Sequence, residues 1–416
     1  MSKIIVKNNG ALRGEVEIGG SKNAALPILA ASILTRGKSR ILGLPHLSDI
    51  AIMYSLLESL GARILEFPDG IDIDTSSVFQ YSAPYEQVIK MRGSFLLAGP
   101  LLSVLGKARI CLPGGCPIGS RPVDLHLKGF ARLGASISQE HGYIELEAQK
   151  LSGAKIYLDF PSVGATENLI MAACCAEGET LIENAAVEPE IEDLAQFLNR
   201  QGAQIEGAGS DTVRILGVES LSGCEHRIIT DRIEAGTYMA AFAITKGRGR
   251  VKNVHIDHVR PMIAKLLEMG VEVSEEPGAV LVNARRKLRA TDIKTMPFPG
   301  FPTDMQAPFG GLLSVAQGTG VIVETVFENR FLHVGELNRM GANIRIDGRT
   351  SVIQGVPQLT GAKVHAADLR GGAALILAGL SAGGVTEIDG VEHIRRGYDR
   401  IVEKLLRLGA EIELDE

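Results

Sequence analysis

No stretch of this 416-residue chain is both long enough and apolar enough to cross a bilayer. The longest apolar runs, near 24–34 and 95–105, are short and broken, whereas a membrane helix needs about 20 consecutive apolar residues. The opening MSKIIVKNNG has no apolar signal core, so neither export nor a membrane partner is expected. A basic excess is lacking too: 43 Lys and Arg stand against 49 Asp and Glu, a formal net charge of −6. Nucleic-acid binders usually advertise the opposite balance, so no nucleic-acid partner is expected. A small anionic ligand stays open, because a cleft gathers arginines while the whole remains acidic. Cysteine is scarce, with five residues, an odd number in no zinc-type spacing. They read as reduced thiols of a cytoplasmic protein. Histidine is scarce as well, and the pair His255 and His258 has no third ligand in sight, so no metal site is expected. Two phosphate-binding signatures fail: Gly37-Lys38-Ser39 would need a glycine at 32 and has Ser32, and the pair Gly207 and Gly209 breaks off at Thr212.

What the chain does have is a repeat. A helix-like apolar segment ending in Gly and followed by a short strand occurs six times, with the glycines at Gly61, Gly134, Gly202, Gly270, Gly341 and Gly409, about 70 residues apart. Glycine directly after a helical run is a left-handed stop, and the alternating residues beyond it suit a half-buried strand. Each copy is preceded by a second element, a helix rich in Ala, Gly and Ser such as NAALPILAASIL or GGAALILAGLSA. Helices with no charged face are buried, and small residues let them approach closely. The length exceeds what one core supports, so two domains of three units each are expected, with buried helices and outward sheets. A solenoid ranks lower, because the units are long and their loops individually distinctive.

The loop PGGCPIGSRP, 113–122, places Cys116 among Gly, Pro and Arg121. No helix or strand survives that density of Gly and Pro. Most free cysteines pack in cores, as Cys174 and Cys175 do within an apolar helical run, but a thiol on a glycine loop beside an arginine is held partly as thiolate and reacts.

This loop, the opening GGSKNAALP, and SVGATEN, TDRIEAGT, FPTDMQAP, ENRFLHVGEL and ADLRGGAAL in that order cover essentially the whole chain. Together they resemble the enolpyruvyl transferase family, in its branch that acts on UDP-N-acetylglucosamine. The resemblance implies an α/β fold of two inside-out, barrel-like domains, 22–229 and 1–21 plus 230–416, with substrates bound between them and the cysteine loop as a lid. It implies transfer of the enolpyruvyl group of phosphoenolpyruvate to the 3-hydroxyl of UDP-N-acetylglucosamine, releasing phosphate, at the first committed step of peptidoglycan synthesis. It implies no part for a cofactor or metal. It also implies inactivation at the loop cysteine by fosfomycin, an epoxide phosphonate.

Carried over residue by residue, the resemblance makes Cys116, Asp304 and Lys22 the catalytic residues, with Cys116 the proton donor and Asp304 the acceptor of the sugar hydroxyl proton. Asp304 also reads as an N-cap for the helix that follows. Lys22, Asn23, Arg121, Arg370 and Arg396 match the cage for phosphoenolpyruvate, arginine being suited to carboxylate and phosphate by its planar fork. The sugar nucleotide falls to Arg92, to the run Arg121, Pro122, Val123, Asp124 and Leu125, to Ser162, Val163 and Gly164, and to Asp304 and Val326, with Arg330 supporting Asp304. One departure is visible: Ser48 precedes Asp49 where the family often has lysine. The shikimate-pathway enolpyruvyl transferase shares the repeat but lacks the cysteine loop, and a non-catalytic relative would have no need to retain Lys22, Cys116 and Asp304.

Overall fold

The structure, a computed structural model, describes residues 2–112 and 123–416. The described chain divides into two compact units, 20–112 with 123–229, and 2–19 with 230–416. Each has its own apolar core.

Each repeat is one small-residue helix, a strand, a more polar helix, the glycine stop and a strand or hairpin. In the first copy these are the helix Lys22–Ala31, the strand Lys38–Leu42, the helix Ser48–Leu60 and the strands Arg63–Phe67 and Gly70–Asp74. All six stop glycines have positive φ, from 85° to 110°, the left-handed conformation that lets a helix end and a strand begin without a Cβ clash. Strands alternate buried and exposed residues, as Thr212–Leu216 does, so each sheet buries one face.

Five sheets have four strands and one has three among the described residues. In each four-stranded sheet three strands pair antiparallel and a fourth adds in parallel at an edge, as Glu225–Arg227 does beside Lys38–Leu42. In the three-stranded sheet the corresponding place holds a single parallel bridge, Ser82 to Arg109. Two sheets depend on the N-terminus. Lys3–Lys7 lies between Val385–Asp389 and Glu411–Asp415, and Arg13–Glu17 pairs in parallel with Arg248–Lys252. The sheets are separate and open, and none closes on itself among the described residues.

The helices Lys22–Ala31, Ala98–Leu105 and Val163–Ala173 belong to one core. Arg232–Ile244, Gln306–Leu313 and Leu369–Ser381 pack on one another in the other. Twelve of the thirteen residues of Arg232–Ile244 are buried. Small residues make such contacts possible: a Cβ at Gly99 would stand 2.4 Å from the Asn168 carbonyl oxygen of the facing helix. Alanine there would force the two helices apart, at a cost of about 1–3 kcal/mol.

Candidate active site

The heads of the buried helices carry the charged residues. In the unit containing 230–416, Asp368 caps Leu369–Ser381 by accepting from the backbone N–H groups of Arg370 and Gly371, each at 2.9 Å. That cap holds Arg370 in the first turn, where its guanidinium reaches Asp304: Nε and Nη2 donate to Oδ2 at 3.1 and 2.8 Å. Arg330 Nη2 donates to the other oxygen, Oδ1, at 2.6 Å. Both arginines are almost wholly buried, at 5% and 3% side-chain exposure, and Asp304 keeps 23%. Burial pushes the Asp304 carboxyl up, and the guanidiniums of Arg370 and Arg330 outweigh it, holding the group well below the usual carboxylate range. Burial works against the charge on Arg370, but Asp304 and then Tyr398 keep it protonated more firmly than an ordinary arginine. The Tyr398 ring lies 5.2 Å from the Arg370 guanidinium, and its hydroxyl is bonded to Thr237 Oγ1 at 2.9 Å. Arg370 Nη1 and Arg330 Nε are buried without an acceptor among the described residues, so each guanidinium has capacity for a further acceptor.

Asp304 corrects one expectation. It lies in the 3₁₀ turn Thr303–Met305 ahead of Gln306–Leu313, and no side chain caps either element. The carboxylate is spent on the two arginines instead.

Val326 stands close to this cluster through a shared partner, the buried carboxylate of Glu324. Glu324 Oε1 accepts from the N–H groups of Val326 and Phe327 at 2.8 and 3.1 Å. Its Oε2 accepts from Thr303 Oγ1 at 2.8 Å. Arg396 follows the short helix Val391–Ile394, half-buried and two residues before Tyr398.

In the unit containing 20–229, Ser21 caps Lys22–Ala31. Lys22 in the first turn donates to Asp49 Oδ2 at 3.1 Å, with side-chain exposures of 12% and 2%. Asp49 lies in the first turn of Ser48–Leu60, where the helix dipole favours an anion. Asn23 is half-buried beside Lys22. Ser162 caps Val163–Ala173, accepting from Ala165 N–H, and puts Val163 and Gly164 in the first turn. A Cβ on Gly164 would meet the His126 ring at 3.4 Å. That imidazole belongs to Asp124–Arg132, the helix that Val123 precedes and that carries Asp124 and Leu125. Burial, and then Arg92, hold it neutral, its pKa lowered to about 3. Asn168 pins the ring: its Oδ1 accepts from Gly99 N–H, and its amide donates to the Phe95 carbonyl and lies 3.1 Å from His126 Nδ1. With Nδ1 accepting, the proton sits on Nε2. Arg92 opens the turn Arg92–Leu97.

Cys116, Arg121 and Pro122 lie outside the described residues. The four other cysteines, Cys111, Cys174, Cys175 and Cys224, all have thiols pushed up by burial. No helix among the described residues is long and apolar enough to cross a membrane. The residues that the sequence reading missed are Asp49, His126, Thr303 and Glu324. His126, Thr303 and Glu324 stand within two residues of an expected one in the sequence and carry no signal beyond that, and Asp49 meets Lys22 only in the fold.

Comparisons with known proteins agree with the motif reading. The family model for EPSP synthase (3-phosphoshikimate 1-carboxyvinyltransferase) matches residues 6–405. A UDP-N-acetylglucosamine 1-carboxyvinyltransferase 2 of Carboxydothermus hydrogenoformans is 56% identical, covering 99% of both chains. A UDP-N-acetylglucosamine 1-carboxyvinyltransferase 1 of Caldanaerobacter subterraneus is also 56% identical, again over 99% of each. Among solved structures, the enolpyruvyl transferase NikO from Streptomyces tendae superposes with a TM-score of 0.89 at 26% identity, covering 99% of this chain and 98% of its own. With a family match over nearly its whole length and full-length relatives at this identity, the chain belongs to the enolpyruvyl transferase family, in its UDP-N-acetylglucosamine 1-carboxyvinyltransferase branch.

Proposed function

We propose that this enzyme transfers the enolpyruvyl group of phosphoenolpyruvate to the 3-hydroxyl of UDP-N-acetylglucosamine, with release of phosphate, in peptidoglycan synthesis. The reaction is an addition followed by an elimination. Protonation of the methylene carbon leaves an oxocarbenium-like centre at the adjacent carbon, and the sugar hydroxyl attacks it while giving up its proton. The tetrahedral adduct then loses a proton from the new methyl group, re-forms the double bond and expels phosphate.

Asp304 is the acceptor of the hydroxyl proton. What supports the reading is its clamp of two buried arginines, which keeps the carboxylate ionised throughout the working pH range. A base held so low is weak, but the hydroxyl becomes strongly acidic as it bonds to the cationic carbon, so a weak base suffices in the transition state. Cys116 delivers the proton to the methylene carbon. Lys22, Asn23, Arg121, Arg370 and Arg396 hold phosphoenolpyruvate. Arg92, Arg121, Pro122, Val123, Asp124, Leu125, Ser162, Val163, Gly164 and Val326 serve the sugar nucleotide, and Arg330 orients Asp304. The finer architectural reading, an inside-out arrangement of helices within sheets, and a cytoplasmic location belong to the same proposal. Mass spectrometry of the product tests it: an enolpyruvyl ether on the sugar nucleotide is expected, and an unmodified acceptor in the presence of active enzyme and phosphoenolpyruvate contradicts it.

A further inference from the structure

We propose that Glu324 is a positioning residue for the transfer, holding Thr303, Arg330 and the Val326–Phe327 backbone in register with Asp304; this rests on the roles given above to Asp304 and Arg330. Glu324 follows the strand Thr319–Val323 and is fully buried, at 0% exposure. A carboxylate in such a place is costly unless donors surround it. Four do: Thr295 Oγ1 at 3.0 Å and the Val326 and Phe327 N–H groups at 2.8 and 3.1 Å on Oε1, and Thr303 Oγ1 at 2.8 Å on Oε2.

The directions of these bonds carry the inference. The single hydroxyl hydrogen of Thr303 is given to Glu324, which turns a lone pair of the same oxygen toward Arg330. Arg330 Nη1 donates to it at 2.8 Å, and Nη2 donates to Asp304 at 2.6 Å. The guanidinium is thereby held at two points, and its orientation on Asp304 is inherited from Glu324 through one hydroxyl. A second arm of the same carboxylate fixes the backbone at Val326. Glu324 touches none of the reacting groups; it acts through others.

Glu324→Gln keeps the shape but places an amide where only acceptors fit, so either the Thr303 hydrogen or the backbone N–H groups lose their partner. Thr303→Val removes the hydroxyl link alone, and Thr303→Ser keeps it. Turnover of phosphoenolpyruvate with UDP-N-acetylglucosamine is measured for each variant, with Asp304→Asn alongside. Glu324→Gln and Thr303→Val should each lower kcat by about 10-fold or more, and the double variant should fall no more than about twofold below the weaker single one, because both cut one chain. Thr303→Ser should restore kcat to within about threefold of the parent. Glu324→Gln should also raise KM for the sugar nucleotide, and Thr303→Val should not. A folded Glu324→Gln with parental kcat, or losses that multiply in the double variant, overturns the proposal. Should Glu324→Gln fail to fold, equal kcat for Thr303→Val and Thr303→Ser overturns it. Parental turnover by Asp304→Asn refutes instead the role of Asp304 on which it rests.

Discussion

Asp304→Asn perturbs catalysis and stability at one point, and the structure gives a magnitude for each. The substitution preserves size and one acceptor oxygen but removes the charge that two guanidiniums, at 5% and 3% exposure, are built around. Taking one partner from a buried ion pair costs about 3–5 kcal/mol, and because Asp304 is 23% exposed and Asn still accepts one bond, the low end applies, about 3 kcal/mol. Loss of the proton acceptor lowers kcat by roughly 100-fold or more, about 2.7 kcal/mol of barrier. The stability gap between parent and variant has a set pH course. The folded Asp304 carboxyl is held well below its unfolded value, so its stabilisation is complete above the unfolded pKa of about 3.9 and fades as pH falls through the lower folded value. Urea unfolding from pH 8 to 3 should show a constant gap down to about pH 4–5 and a narrowing gap below. Near-parental turnover, or a gap that closes already between pH 8 and 6, refutes the reasoning.

The remaining predictions concern the loop, the anion cage and the buried imidazole. Fosfomycin should label Cys116 first, because burial pushes up the thiols of Cys111, Cys174, Cys175 and Cys224; peptide mapping with the adduct on any of these four contradicts it. Arg121→Lys keeps the charge and loses the fork, so kcat/KM for phosphoenolpyruvate should fall clearly; unchanged kinetics place Arg121 outside the cage. His126, lowered to about 3 by burial and then Arg92, should show no titration by NMR between pH 5 and 8. An unfolded histidine binds a proton below about pH 6.5 where this one does not, so it costs stability as pH falls, by up to about 1.4 kcal/mol per unit. His126→Gln should flatten that slope.

The repeating part of the fold was legible because its signals are local. A glycine stop is written in one residue, and a small-residue helix in a dozen. Strand partners hundreds of residues apart leave no such mark: pairing of Arg13–Glu17 with Arg248–Lys252 is not readable from either segment. The joining of 1–21 to 230–416 rests on the family resemblance and not on patterning. At the site, Asp304, Arg330 and Arg370 were recognisable through their motifs, and the structure joins them. The capping role for Asp304 failed because a carboxylate facing two guanidiniums gains more from them than from backbone N–H groups. Asp49, Thr303 and Glu324 were missed because a lone acidic or hydroxyl residue reads by default as solvated, and only the fold sets Asp49 against Lys22, Thr303 between Arg330 and Glu324, and Glu324 among four donors.

Acceptor choice tests the central claim most directly. Phosphate release from phosphoenolpyruvate should be measured with UDP-N-acetylglucosamine and, separately, with shikimate 3-phosphate, in buffer without added metal. Release with the sugar nucleotide alone is the expected result; turnover with shikimate 3-phosphate, or none with UDP-N-acetylglucosamine, would contradict it.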